Sequence, residues 1–172
     1  MSMPGILLAF VLICSAATAA PAQDGGDAAS RQPVDDYVFL EGAASDLLAA
    51  TERLGDAVAK GETEMCAGFA MVHRMEARGW MLRGVGMTYV LLAFGGNLED
   101  GSFAREALEG LSGDLPVRLG GLRALLDADE RLLASFVNRV EEAEVREAAV
   151  ECQRVIDGIR AEWPWDGTGS AP

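Results

Sequence analysis

ETEMCAGFAMVHRMEARGWMLRGVGMTYVLLAFGG, residues 62–96, decides the fold class. Its apolar residues recur at steps of three and four, as a helix of 3.6 residues per turn requires, and strand-like alternation never persists. One row is Met71, Met75, Leu82, Val85, Tyr89 and Leu92; a second is Cys66, Phe69, His73, Trp80, Met87 and Leu91. Gly95-Gly96 supplies a stop by allowing a left-handed backbone, so a long helix is expected from about Glu62 to Phe94. Gly84 and Gly86 lie inside it, each costing up to about 1 kcal/mol relative to alanine, and predict a kink or a close helix crossing. Trp80 to Phe94 is strongly apolar but falls short of the roughly 20 residues that span a bilayer, and Arg83 interrupts it. It reads as a central bundle helix.

The same periodicity extends to both sides. Tyr37, Leu40, Ala44, Leu47, Thr51, Leu54 and Val58 mark one face of a helix ending near Gly61. A short helix is expected from Ser102, a capping residue, to about Leu111, with Ser112-Gly113-Asp114 as its stop. Pro116 then suits the first turn of another helix, whose stripe is Leu119, Leu122, Leu126, Leu133, Phe136 and Val140, with Asp129 in place of one apolar step. The stripe changes phase after Val140 and resumes as Val145, Ala148, Cys152, Val155, Ile159 and Trp163, which calls for a turn near Glu141 to Glu144. The expected fold is all-α: an antiparallel bundle of about four long helices plus one short one, over residues 34–165.

What flanks the bundle reads differently. Ile6 to Ile13 is a short apolar run followed by small Ala-rich residues, the layout of a secretory leader over residues 1–22, with cleavage after Ala19 or Ala22. Residues 23–33 and 166–172 are Gly-, Ala- and Asp-rich without periodicity and read as a disordered linker and tail. A lipid anchor on Cys14 is excluded because Ile13 precedes it where a small residue is needed. Export implies a periplasmic or secreted protein, with no membrane insertion once the leader is removed.

Removal of the leader takes Cys14 and leaves Cys66 and Cys152, which in an oxidising compartment are expected to pair. That bridge would close a loop of roughly 85 residues, for which loop entropy gives about 4 to 5 kcal/mol. With a turn after Val140 the helices carrying them start at the same end, which favours pairing; two separate buried thiols are the alternative.

The chain carries net charge −13 with a pI near 4.4, which disfavours nucleic-acid backbones and anionic lipid alike. No phosphate loop, basic stripe or internal repeat occurs. His73 is the sole histidine, so triads and multi-histidine zinc sites are excluded, and no C-x-x-C-H haem attachment exists. Position 70 is Ala70, so no Glu-x-x-His pair exists either. His73 with Met71 and Met75 could hold copper(I) or ligate a haem, while methionine at this spacing more often fills a core. The run Glu141, Glu142, Glu144, Glu147, Glu151 reads as a solvated face that selects no catalytic carboxylate. No cofactor and no enzymatic activity are implied.

Arg78 is the most informative residue, because it interrupts the row Met71, Met75, Leu82, Val85 and a guanidinium facing an apolar seam must find an anion or a carboxylate. Arg74 and Arg83 flank it, and the three form a candidate ligand-binding set. The plainer reading pairs Arg78 with a Glu or Asp, or lets it reach to the rim.

Ala77-Arg78-Gly79-Trp80-Met81-Leu82-Arg83, followed by Leu91-Leu92-Ala93-Phe94-Gly95, resembles a helix of the N-terminal sensor-like domain of type IV pili methyl-accepting chemotaxis transducers, the PilJ type. That helix carries G-R-Q-R-M-L-S-Q-R and later L-L-x-A-L-G; Arg78, Met81, Leu82, Leu91, Leu92, Ala93 and Gly95 match. Trp80 stands in place of the second arginine, Arg83-Gly84-Val85 replaces Ser-Gln-Arg, and the spacing differs by one residue. The resemblance implies a periplasmic module that senses a small ligand or a partner protein, related in kind to nitrate-sensing bundles that hold the anion across a dimer. Arg78 alone carries over as an anion-binding residue. Apolar seams on an acidic bundle also admit pairing with another helical chain or with a second copy.

Overall fold

The computed structural model describes residues 33–61, 65–95 and 97–165; the leader-like segment and the tail expected at the termini lie outside the described residues. Within these, four helices follow one another: α1 (Pro33–Lys60), α2 (Met65–Gly95), α3 (Phe103–Arg139) and α4 (Ala143–Ala161), and no strand occurs among the described residues.

The termini follow ordinary capping chemistry. Proline needs no N–H at the start of α1, and Asp35 and Asp36 in its first turn meet the positive end of the helix dipole, with Lys60 at the other end. Gly61 N–H closes α1 onto the carbonyls of Ala57 and Val58. Before α3, Gly101 takes a left-handed φ of 72° and Ser102 accepts from the N–H of Arg105 at 3.2 Å, the cap its sequence position predicts. Val140 leaves the helical region, its N–H bonding to Phe136 O at 2.9 Å, so the expected turn between α3 and α4 is present.

Contacts give the topology. Gly68 lies against Val58, Gly79 against Leu48 and Gly86 against Leu40, so α1 and α2 run antiparallel. A Cβ on Gly68 or Gly79 would sit 2.5 or 2.6 Å from the facing side chain, so these positions let the two helices close together. The close crossing expected near Gly84 and Gly86 belongs to Gly86, while Gly84 faces open space. Gly95 meets Leu108 across α2 and α3, Arg160 meets Asp127 across α3 and α4, and Arg53 meets Glu151 across α1 and α4. Each helix therefore packs on two neighbours in an up-down-up-down bundle around Leu40, Leu47, Leu54, Met75, Leu82, Leu122, Leu126, Leu133 and Ile156.

Two expectations are corrected. The short helix from Ser102 to Leu111 and the helix beginning near Pro116 are one helix, with Pro116 inside α3. Proline loses the bond to the carbonyl four residues back and costs about 3 kcal/mol in a helix interior. Its ring is exposed, however, and Leu115, Leu119 and Leu122 keep one phase through it, so burial of that continuous row holds the helix together.

The Cys66–Cys152 bridge is absent: Cys66 is exposed and Cys152 is buried, and both are free thiols. Cys152 sits beside Thr51, whereas the α1–α2 register sets Cys66 level with Lys60. Nine helical residues separate those levels, about 13 Å of rise, against the roughly 7 Å between Cα atoms that a disulfide tolerates. The two helices do start at one end, but Cys66 is in the first turn of α2 and Cys152 is midway along α4.

At the other end, Trp163 and Trp165 fold back after α4. Trp165 stacks on buried Tyr89 at 5.9 Å and meets Phe39 at 5.8 Å, and the two indoles pack edge to face at 5.1 Å. No helix among the described residues is long and apolar enough to cross a membrane.

Candidate functional site

Arg74 and Arg78 are four residues apart, so they share one side of α2, the side facing α3. Asp129 faces them from α3 with its side chain wholly buried between Leu126 and Leu133 of the same stripe. Arg78 Nε donates to Asp129 Oδ2 at 2.6 Å, and Arg74 Nε donates to Oδ1. Each carboxylate oxygen thus has its own guanidinium. Arg78 is the inner member, its side chain 11 % exposed against 38 % for Arg74, and its Nη1 also reaches Met81 Sδ at 3.4 Å.

A buried carboxylate requires compensation, and one guanidinium would neutralise it. Here there are two, so the cluster carries one positive charge in excess inside a chain of net charge −13. Guanidinium does not give up its proton at ordinary pH, so the arrangement is suited to holding charge and orienting an anion at the open edge.

Arg83 does not join this cluster. It turns toward α1, where Nη2 and Nε donate to Glu41 Oε1 at 2.7 and 3.0 Å, and its guanidinium lies 5.1 Å from the centre of the Trp80 ring. The hydrogen bond with Glu41 raises the Arg83 pKa. Of the three arginines in the candidate set, two converge and the third is a separate brace.

The copper or haem set is dispersed. Met71 and Met75 are buried, Met75 completely, while the His73 side chain is 78 % exposed and lies 3.7 Å from Glu76. Two residues' rotation separates His73 from each methionine by about 200°, on opposite sides of the helix. Among the described residues no group of three or more His, Cys, Asp or Glu side chains could hold a metal.

Two further charged places lie outside the candidate set, the first of them on the glutamate run. A groove of about 320 Å³ between α1 and α4 is lined by Arg53, Asp56, Lys60, Glu144, Glu147 and Glu151. Arg53 forms a two-pronged pair with Glu151 at 2.7 and 2.8 Å, which raises the arginine's pKa. These groups face water, as the glutamate run predicts. The second ties α3 to α4: Arg160 donates to Asp127 at 2.6 Å, while Arg123 donates to the Arg160 carbonyl at 2.7 Å and covers Trp163 at 5.8 Å. Apolar periodicity carries no signal for either, because the residues lie on the polar flanks of their stripes.

Burial pushes the Cys152 thiol up from 9.0 to about 12, so it stays neutral and unreactive in the folded chain. Alkylating reagent is expected to take Cys66 and to spare Cys152 until denaturant is added, as read by peptide mass. The raised value also gives a pH dependence. Stability from keeping this thiol protonated is whole below about pH 9 and is lost as pH rises toward 12, because the unfolded chain releases the proton first. Cys152→Ala should flatten that alkaline slope.

The fold and this site define a class: an up-down-up-down four-helix bundle with a buried carboxylate gripped by two arginines. In comparison with protein-family models, curated proteins and solved structures, the chain matches none of them.

Proposed function

We propose that the protein is an exported, non-enzymatic helical-bundle module, sensor-like in kind, that binds a small anion at the outer edge of the Arg74–Arg78 pair. The observation that carries the reading is the second guanidinium on one buried carboxylate. Asp129 fixes both arginines through Nε and leaves the cluster one positive charge in excess. Arg78 is also the residue that the resemblance to the PilJ-type sensor helix assigns to an anion, and the leader-like pattern of residues 1–22 supports an exported module, periplasmic or secreted.

The test is the thermal midpoint against nitrate, phosphate, sulfate and acetate. A ligand at one hundred times its Kd stabilises the folded state by about 2.7 kcal/mol, which is a shift of several degrees in a bundle this size. One of these anions should raise the midpoint of the wild-type chain and fail to raise that of Arg74→Ala. The Arg74 side chain is the more exposed of the two, so its removal leaves Asp129 paired with Arg78. Equal shifts in both proteins, or none in either, would remove the reading.

A partner protein is the second reading, and one observation favours it: α2 keeps a row of large apolar side chains on its outer side.

A further inference from the structure

We infer that the outer row of α2 is the seam of an antiparallel homodimer. The inference deepens the partner reading and stands apart from the anion site, since it uses neither Arg74 nor Arg78.

Trp80, Gly84, Met87, Leu91 and Phe94 follow one another at steps of four and three, the spacing of a coiled-coil seam. All five are exposed, Trp80 at 54 % and Phe94 at 65 %, and they lie opposite the face that packs into the bundle. A helix apolar all round is ordinarily buried on every side. Within one chain α2 has neighbours on its inner side only, α1 and α3.

Three features point to a second copy. The first is charge. Glu76 is the sole carboxylate of α2, and Gly84 through Leu98 carries no charge at all, in a chain of net charge −13. Two such acidic chains repel through nearly every other face and least through this one.

The second is register. An antiparallel seam sets Gly84 against the partner's Phe94 and Met87 against the partner's Leu91. The space above Gly84 is open, so it can receive the phenyl ring. A parallel seam would instead set Gly84 against the partner's Gly84 and Phe94 against the partner's Phe94, leaving a gap at one level and a clash at the other.

The third is area. The row with neighbouring Met81 exposes on the order of 600 Å² per chain, so two copies bury roughly 1,200 Å², the lower end of specific interfaces.

Sedimentation and light scattering on the full chain, with Cys14 and Cys66 replaced by serine, test it. At tens of micromolar the expected mass is that of two chains, falling to one in Met87→Glu with unchanged helical circular dichroism. Orientation is read by cross-linking in that serine background: mixed Gly84→Cys and Phe94→Cys chains should join, while Phe94→Cys alone should not. A single-chain mass for the parent protein, a dimer that survives Met87→Glu, or self-linking of Phe94→Cys would overturn the proposal. A parent protein of single-chain mass would leave the partner reading standing if 1-anilinonaphthalene-8-sulfonate binds it and not Met87→Glu; absence of dye binding would remove both.

Discussion

Asp129→Ala should lower the stability of the bundle by about 3 kcal/mol, a fall in thermal midpoint of roughly 10 °C. The carboxylate is wholly buried and holds two guanidiniums, so its removal leaves positive charge without its partner at the α2–α3 seam. Breaking a buried pair costs about 3 to 5 kcal/mol; the lower figure applies because Arg74 can turn toward water. Asp129→Asn keeps the volume and should cost less, while Asp129→Leu combined with Arg78→Met should recover much of the loss by replacing charge with packing. Calorimetry on these variants is the check. A midpoint for Asp129→Ala within 2 °C of the parent would mean that the cluster is not formed in solution.

Trp165→Ala is expected to cost about 2 to 3 kcal/mol, less than a fully buried aromatic because the indole is half-buried. The indole contacts Tyr89, Phe39 and Trp163, which belong to α2, α1 and the segment after α4, so it ties the C-terminal residues to two helices at once. Urea unfolding should show a lower midpoint with a similar slope, and the tryptophan emission of the folded variant should move to the red as Trp163 gains water. An unchanged urea midpoint would show that the residues after α4 do not brace this end.

The helices were legible where one apolar row sits against one core. The phase change after Val140 located the α3–α4 turn, and the step pattern from Tyr37 to Val58 located α1. Pro116 misled because local propensity weighs a lost hydrogen bond and not the row on either side of it; Leu115 and Leu119 decide the matter through burial. For the site, both members of the ion cluster were visible as anomalies, Arg78 in one apolar row and Asp129 in another. Joining them required the α2–α3 register, which periodicity does not contain. The disulfide failed for the same reason: helix order gave a common end, and only the register gave the 13 Å offset of about nine residues. Arg83 shared a helix with Arg74 and Arg78 but not their side of it, a matter of 100° per residue rather than of spacing along the chain.

The unequal helix lengths grade the stability of the bundle along its axis. α3 has 37 residues and α4 only 19, so α4 lies beside little more than the second half of α3. The half of α3 that contains Pro116 and the acidic turn before it rest mainly on the end of α2. Opening that end exposes fewer buried contacts than opening the middle, where Asp129 and its arginines sit, so the Phe103 side is expected to open at lower cost than the middle. The bundle can therefore fray from one end without losing the ionic contact at its centre.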